Sequence, residues 1–334
     1  GDTVWSPGIA GWKPPGGPLD CGNSGTSLRL LAGALAGRPF ASTLTGDASL
    51  RSRPMQRLVD PLSALGATVG LSEEETAPVT VSASQPLIGA DVVVPLASAQ
   101  VRTAFALAAL QAQGSSTVTS PPGYRDHTER WLEALGLGER TEGTTFRIDP
   151  GPVPTARYQV PGDPSSAAYL WAAAAISRGS TVTTPGIVLN PGRMGFLQVL
   201  EQFGAVIEAD VTGSVLGDAV GTVTVRGQGL FAAEVTGSVS VATLDELPLV
   251  AVLGALGEGI TVVRDAAELR AKESDRIMST VEMIRALGGG AEPTAGGFEV
   301  VGTGWLEPGT VDSHGDHRIA MAAAVAATGA TGPI

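Results

Sequence analysis

The densest group of charged side chains lies between residues 264 and 276, in the sequence RDAAELRAKESDR. Its last nine residues hold six charges and one hydroxyl, whereas only 16% of the whole chain is charged. A solvated helix face can carry such a run. This one, however, follows the apolar, strand-like segment 259–263, which would place the charges at the end of a sheet. Cations mixed with carboxylates there suit an anionic substrate and proton transfer.

Lys272 stands out within this run, because the chain has only two lysines against nineteen arginines. Glu273 follows it directly, and Arg276 closes the run. Four arginines, Arg53, Arg125, Arg276 and Arg318, lie close to predicted helix starts. An isolated arginine there is usually a solvated helix residue. Because arginine binds carboxylate and phosphate with two parallel hydrogen bonds, four at equivalent repeat positions predict a ligand with several anionic groups.

The predicted helix starts are themselves candidate anion sites. Residues 22–26 (GNSGT) offer small side chains and backbone N–H groups at a helix N-terminus, which can bind phosphate or carboxylate. Each start alone also fits an ordinary N-cap. Asp245 likewise fits an N-cap before an apolar helix, or a base beside a cationic cluster. No GxxxxGK[ST] motif is present, which argues against a P-loop nucleotide site.

Composition narrows the class of protein. The 334 residues suffice for two domains, and no run of about 18 uninterrupted apolar residues predicts a membrane span. The net charge of −12 argues against a nucleic-acid or membrane partner. Cys21 is the only cysteine, and no basic leader opens the chain, so a cytoplasmic protein is predicted. The three histidines are too scattered for a ligand set, so no metal is predicted.

The elements that would position these residues form an internal repeat. A polar start followed by an Ala- and Leu-rich run recurs, with starts roughly 65 to 80 residues apart, which suits one small α/β unit each. The recurring segments are 22–33, 98–109, 162–173, 245–253 and 315–323. Amphipathic helices ending at glycine alternate with them, at 57–66, 128–136, 196–204 and 277–288. Strand patterns occur at 116–119, 146–148, 180–183, 222–225 and 260–263.

The first helix type is apolar on nearly all sides, which predicts buried helices with sheets outside. A composition break at 161–163 marks the predicted domain crossing. The predicted domains are 1–160, with the second and third units and the tail of the first, and 161–334, with the fourth and fifth units and the start of a sixth. The hinge is predicted near 158–162.

Together these motifs resemble the 5-enolpyruvylshikimate-3-phosphate synthase family. The resembling segments, in the family's order over essentially the whole chain, are DCGNSGT (20–26), LTGD (44–47) with Arg53-Pro54, SAQVR (98–102), RDHTE (125–129), PGDPSS (161–166), Asp245-Glu246, RAKESDR (270–276) and GDHR (315–318). The resemblance implies a two-domain inside-out α/β barrel, the enolpyruvyl transferase fold, built from βαβαββ units. It implies transfer of the enolpyruvyl group of phosphoenolpyruvate to the 5-hydroxyl of shikimate 3-phosphate, releasing phosphate, with no cofactor, in a monomer. Domain closure would exclude water and join the two halves of the site.

The resemblance also implies roles for individual residues. The residues resembling the family's catalytic groups are Asp245 as proton acceptor, Glu273 as proton relay, and Lys272 near the 5-hydroxyl. Those resembling phosphoenolpyruvate ligands are Gly25, Arg53, Gln100, Arg276 and Arg318. Those resembling shikimate 3-phosphate ligands are Ser98, Ala99, Gln100, Arg125, Asp245 and Lys272.

Two departures from the family pattern shape the expectations. Most of the first unit, with its Pro-Gly-Asp-Lys-Ser motif, and the last segment, with another lysine, are not in this sequence. We therefore expect a chain truncated at both ends and impaired in turnover. The resemblance also implies that a full-length version is inhibited by glyphosate, which competes with phosphoenolpyruvate in this family, because Gly25 leaves room that an alanine would fill. The alternatives are UDP-N-acetylglucosamine enolpyruvyl transferase, whose loop cysteine has no counterpart here, and a non-catalytic ligand-binding fragment.

Overall fold

A computed structural model describes residues 8–155 and 159–334. Its contacts divide the chain into two compact units. The first is Gly1–Tyr124 with Leu132–Thr155, and the second is Arg125–Trp131 with Ala156–Ile334. The domain boundary after residue 160 and the hinge near 158–162 stay predictions, and residues 156–158 lie outside the described residues, as do residues 1–7 of the predicted first-unit tail.

The first unit contains two four-stranded sheets. Its helices are α1 (Gly25–Ala36), α2 (Ala48–Arg51), α3 (Val59–Ala64) and α4 (Ala99–Ala109), while α5 (His127–Ala134) begins in the segment assigned to the second unit. Its strands are β1 (Leu19–Asp20), β2 (Ser42–Thr45), β3 (Thr68–Gly70), β4 (Val79–Ser82), β5 (Asp91–Val93), β6 (Ser116–Thr119), β7 (Gly138–Arg140) and β8 (Phe146–Ile148). The strand orders are β1-β2-β4-β3 and β5-β6-β8-β7.

The second unit contains a three-stranded and a four-stranded sheet. Its helices are α6 (Pro164–Ile176), α7 (Gly195–Gln202), α8 (Gly237–Ala242), α9 (Leu247–Leu256), α10 (Arg276–Ala286) and α11 (His317–Ala326). Its strands are β9 (Thr181–Val188), β10 (Val206–Val215), β11 (Asp218–Arg226), β12 (Glu234–Val235), β13 (Glu258–Val263), β14 (Gly290–Thr294) and β15 (Gly297–Thr303). The strand orders are β10-β11-β9 and β12-β13-β15-β14. Short 3₁₀ turns occupy Ile9–Gly11, Gln56–Leu58, Pro191–Arg193 and Ala267–Ala271.

One connection pattern recurs in all four sheets. In each four-stranded sheet the first two strands pair in parallel, and the last two join them antiparallel. A helix crosses between the parallel strands, and a second helix precedes the antiparallel pair, which gives βαβαββ. The sheet of β9 has a parallel bridge, Gly162 to Ile187, in place of its first strand. The repeat and the two helix types predicted from the sequence are therefore confirmed.

The helices of the first type form the interior of each unit, as the apolar runs predicted. In the first unit α1 packs on α4 so closely that a Cβ on Gly33 would lie 2.0 Å from the backbone oxygen of Ala104. Only glycine permits this approach. In the second unit α9 is buried along Leu247–Ala255 and contacts α6, α10 and α11. No helix in the described part of the chain is long and apolar enough to cross a membrane.

Candidate active site

In the first unit, the polar group at the start of α1 is built from two capped helices, α1 with a serine cap and α2 with an aspartate cap. Ser24 caps α1 by accepting a hydrogen bond from the Ser27 amide. Asp47 caps α2 and also accepts from the Asn23 side chain at 2.8 Å. Asn23 in turn accepts from Arg53 Nη2 at 2.7 Å. These contacts hold the Arg53 guanidinium beside the N-terminus of α1, where its charge adds to that of the helix dipole.

Gln100 connects the starts of α1 and α4. Its Oε1 accepts from Arg29 Nη1 at 2.6 Å, and its Nε2 donates to Thr26 Oγ1 at 2.8 Å. Ser98 caps α4 through the Val101 amide, which places Ala99 and Gln100 at the helix start. The structure thus brings the first-unit residues predicted from the sequence into one group.

Arg29 belongs to this group but was not predicted. It is buried, and its Nη2 also donates to the Pro54 carbonyl at 3.2 Å. A Cβ on Gly25 would lie 2.8 Å from Arg29 Nη1 and 3.4 Å from Arg53 Nη1. Arg29 could have been predicted from the sequence, because it follows Gly25 by four residues and therefore lies on the same face of α1.

In the second unit, Asp245 lies at the centre of a cationic cluster. Its Oδ2 accepts from Arg125 Nη2 at 2.8 Å, and its Oδ1 lies 3.4 Å from Arg276 Nη1. Burial alone would raise the pKa of Asp245. The charges of Arg125, Arg318 and Lys272 outweigh it and hold that pKa well below its usual range. Asp245 is therefore an ionised carboxylate before any substrate binds.

Arg276 connects three carboxylates, those of Asp245, Glu273 and Asp316. Its Nε donates to Asp316 Oδ2 at 2.7 Å, its Nη2 lies 3.4 Å from Asp316 Oδ1, and it is also paired with Glu273. Asp316 caps α11 by accepting from the Arg318 amide at 2.9 Å. Burial opposes the charge of Asp316, but the hydrogen bond and charge of Arg276 hold its pKa below the usual range. The α10 and α11 starts are thereby fixed to each other.

The two remaining predicted cations, Lys272 and Arg318, contact different partners. Lys272 Nζ is paired with Glu268 Oε1 at 2.8 Å, although its charge also lowers the pKa of Asp245. Arg318 Nη1 lies 3.4 Å from the Tyr169 hydroxyl. The Arg318 Nε is buried and has no hydrogen-bond partner among the residues that the structure describes. This guanidinium therefore keeps a donor for which the described protein supplies no acceptor.

Glu246 is a second buried carboxyl in the cluster. Burial and the neighbouring charge of Asp245 raise its pKa to about 6, against smaller opposing effects of Ser165, Arg125 and Arg318. The sequence marked Glu246 only as the neighbour of Asp245. Its burial comes from the packing of α9, which a local pattern does not reveal.

Arg193 is a further arginine of the second unit that was not predicted. It is paired with Asp163, the N-cap of α6, and donates to Ser165 Oγ at 3.0 Å. Burial, and then the charge of Arg125, lower its pKa. The repeat contained the signal, because Arg193 precedes the helix predicted at 196–204 just as Arg125 precedes the one predicted at 128–136.

Two further observations bear on where the site lies, namely a cavity in the first unit and the grouping of possible metal ligands. A cavity of about 470 Å³ in the first unit is lined mainly by apolar side chains, including Trp12 and Leu35, and by none of the predicted site residues. Across residues 8–155 and 159–334, no group of three or more His, Cys, Asp or Glu could hold a metal ion. The charged clusters therefore define the candidate site.

Comparison with known proteins identifies the family of this chain. The profile of the family described as EPSP synthase (3-phosphoshikimate 1-carboxyvinyltransferase) matches residues 1–334. The chain belongs to the EPSP synthase family. The family resemblance drawn from the motifs is thus confirmed.

Relatives and solved structures support the family assignment. The 3-phosphoshikimate 1-carboxyvinyltransferase of Alkalilimnicola ehrlichii is 45% identical over 99% of this chain and 75% of its own length. That of Chloroflexus aurantiacus is 46% identical over 97% of this chain and 76% of its own. The EPSP synthase structure from Acinetobacter baumannii has a TM-score of 0.84 at 38% identity, covering 98% of this chain and 76% of that one. This likeness confirms the enolpyruvyl transferase fold. The enolpyruvyl transferase NikO from Streptomyces tendae, 16% identical with a TM-score of 0.64, covers 96% of this chain and 90% of its own, and shares the fold.

Proposed function

We propose that this chain transfers the enolpyruvyl group of phosphoenolpyruvate to the 5-hydroxyl of shikimate 3-phosphate and releases phosphate. The observation that carries this proposal is the gathering of Arg125, Arg276 and Arg318 around the ionised Asp245, in a member of the EPSP synthase family. Both substrates carry several negative charges. Arginine and lysine at a helix-rich, partly buried site are the groups that bind such anions.

Each unit supplies its own set of proposed ligands. In the first unit, Gly25, Arg53 and Gln100 are assigned to phosphoenolpyruvate. Ser98, Ala99 and again Gln100 are assigned to shikimate 3-phosphate. In the second unit, Arg276 and Arg318 are assigned to phosphoenolpyruvate, and Arg125, Asp245 and Lys272 to shikimate 3-phosphate. The donor-bearing Nε of Arg318 supports a ligand with a carboxylate or phosphate oxygen.

The reaction requires a base for the hydroxyl proton, and we assign this role to Asp245. Its low pKa makes it a weak base while three cations surround it. A bound polyanion forms ion pairs with Arg125, Lys272 and Arg318 and offsets their positive charge. These cations then stabilise the ionised form of Asp245 less. The pKa of Asp245 then rises toward its usual value, and the carboxylate can accept the proton. The substrate thereby activates its own base.

Glu273 and Lys272 are assigned the remaining proton chemistry. Glu273 is held by Arg276, which fixes its carboxylate beside the cluster. We assign it the relay of the proton at the methylene carbon of phosphoenolpyruvate. Lys272 is paired with Glu268 and would exchange this partner for the substrate hydroxyl. A surface pair of this kind contributes little to stability, so the exchange is not costly.

A phosphate-release assay tests the proposal. Because the relatives extend beyond the match, it uses this chain and, in parallel, a flanked enzyme, defined as this chain joined to the terminal segments of the Alkalilimnicola ehrlichii relative that lie outside the match. In the flanked enzyme we expect release that requires both substrates, and an Asp245→Asn variant slower by about 10²- to 10⁴-fold. The control is Asp210→Asn, the same charge change on exposed β10, which should leave the rate unchanged.

Two outcomes would favour the alternatives. Release with UDP-N-acetylglucosamine but not with shikimate 3-phosphate would indicate the sister enzyme, which the family match disfavours. Binding of both ligands without any release in the flanked enzyme would indicate a ligand-binding protein. The monomeric state and the cytoplasmic location stay predictions.

A further inference from the structure

The segment Arg125–Trp131 reaches the second unit from a distant part of the sequence. Arg125 itself lies outside regular structure, two residues before α5, and Gly123 upstream has a positive φ of 102°. Upstream, the Tyr124 ring stacks against the Arg102 guanidinium, whose central carbon lies 4.0 Å from the ring centroid. Downstream, the two residues that directly follow Arg125 are held by side chains of the second unit.

Those residues are half-buried, and a polar network joins them to the buried side chains of Asn190 and Asp218. His127 Nδ1 lies 2.6 Å from Asp218 Oδ2. Asn190 Nδ2 donates both to Asp218 Oδ1 at 2.8 Å and to Asp126 Oδ1 at 2.7 Å. Arg130 Nε donates to the same Asp126 oxygen at 2.8 Å. Two consecutive residues after Arg125 are thus anchored to side chains that lie 64 and 91 residues further along the chain.

The partners on the second unit are themselves fixed in place. Asn190 is buried, and its Oδ1 accepts from the Gly192 amide at 2.8 Å, in the turn that leads into Arg193. Asp218 is buried at the first position of β11, directly after a tight turn. In that turn Leu216 and Gly217 have φ of 46° and 81°. A Cβ on Gly217 would lie 2.9 Å from the Arg130 carbonyl, so the turn packs against the segment.

The burial of Asn190 and Asp218 is better explained by function than by stability. Burying a carboxylate and an amide is expensive unless both are hydrogen-bonded, and apolar residues of similar size often serve stability as well. A satisfied buried network does specify one position for the groups it joins. Here the joined segment carries Arg125, whose Nη2 lies 2.8 Å from Asp245 Oδ2.

We propose that Asp218 and Asn190, through His127 and Asp126, are positioning residues that set the Arg125 guanidinium for shikimate 3-phosphate. This inference rests on the proposed function, because Arg125 is a ligand of that substrate only under it. Arg125 touches the substrate, whereas the network acts through Arg125. A small displacement of a binding group costs much affinity, because binding depends on geometry as well as on charge.

A double-mutant cycle tests the inference. Shikimate 3-phosphate is titrated calorimetrically into this chain as wild type, Asp218→Asn, Arg125→Ala and the double variant. We expect Asp218→Asn to weaken binding about tenfold in the wild-type background but less than twofold when Arg125 is already alanine. The matched control Asp210→Asn, on the exposed neighbouring strand β10, should bind like wild type.

A rescue pair adds a readout that a purely structural role would not change. His127 uses Nδ1, a position that the amide nitrogen of His127→Asn reproduces and that of His127→Gln does not. We expect the asparagine variant to bind within about threefold of wild type and the glutamine variant about tenfold more weakly. In the flanked enzyme, KM for shikimate 3-phosphate should rise in the glutamine variant with kcat changed less than about threefold. This pair decides the matter if Asp218→Asn does not fold.

The failures are distinguishable. Equal losses from Asp218→Asn in both backgrounds would overturn the inference and leave Arg125 as a ligand. Full binding by Asp218→Asn beside a loss in Arg125→Ala would do the same. Full binding by Arg125→Ala would overturn the assignment of Arg125 in the proposed function, and the inference with it.

Discussion

Replacing the buried Glu246 with glutamine should stabilise the protein in a pH-dependent way. Burial and the Asp245 charge raise the pKa of Glu246 from about 4.5 to about 6 in the folded state. The folded protein therefore keeps this proton between those pH values, while the unfolded chain has lost it. The stability contributed by the group is complete below about pH 4.5 and is lost as the pH rises through about 6.

The magnitude follows from the size of the shift. A shift of this size corresponds to about 2 kcal/mol, of which about 1 kcal/mol is lost between pH 5 and pH 8. Glu246 is only 5% exposed, so solvent screening does not reduce this value much. Glutamine cannot ionise. The free energy of unfolding of Glu246→Gln, relative to wild type, should therefore be about 1 kcal/mol higher at pH 8 than at pH 5.

Urea unfolding at the two pH values measures this difference, followed by tryptophan fluorescence, since Trp171 is buried on α6 of the same unit. Comparing the variant with wild type at each pH removes any pH-independent effect of the substitution. Glu201→Gln, an exposed carboxyl on α7, is the control and should show no such dependence. A relative stability that is equal at both pH values, or lower at pH 8, would refute the account of Glu246.

Two further predictions concern close approaches in the first unit. Gly25→Ala would place a Cβ 2.8 Å from the Arg29 guanidinium, which donates a hydrogen bond to Gln100. We therefore expect KM for phosphoenolpyruvate to rise about tenfold in the flanked enzyme, and glyphosate inhibition to weaken in parallel. An unchanged KM would contradict this. Gly33→Ala would place a Cβ 2.0 Å from the Ala104 carbonyl oxygen. We therefore expect the free energy of unfolding to fall by about 1–3 kcal/mol or more, measured by thermal unfolding. An unshifted melting temperature would show that α1 and α4 can separate at little cost.

The repeat could be predicted from the sequence because its signals are local. Asp163 caps α6 and Asp316 caps α11, and each is followed by an apolar run that fixes a buried helix. The long strand β10 was not predicted, because Val206–Val215 is exposed at nearly every position and has no apolar alternation. The short helix α8 could not be predicted either, because its first turn has no side-chain cap.

The candidate site could be predicted only in part, for a similar reason. Arg276 and Asp245, which lie 3.4 Å apart, occur in motifs and can therefore be predicted from the sequence. Arg29 and Arg193 could have been identified from helix spacing and from the repeat. The contact between His127 and Asp218 could not, because the two residues are 91 positions apart and belong to no common pattern. Long-range polar pairs of this kind follow from the tertiary fold.

A crystal structure of this chain with bound shikimate 3-phosphate would test the central claim most directly. The claim is that the cations around Asp245 bind this substrate and place its 5-hydroxyl on the carboxylate. We predict the hydroxyl oxygen within about 3 Å of an Asp245 oxygen, with Arg125 and Lys272 in contact with the ligand. A fully occupied ligand that lies elsewhere, with the pair of Arg125 and Asp245 unchanged at 2.8 Å, would contradict the account.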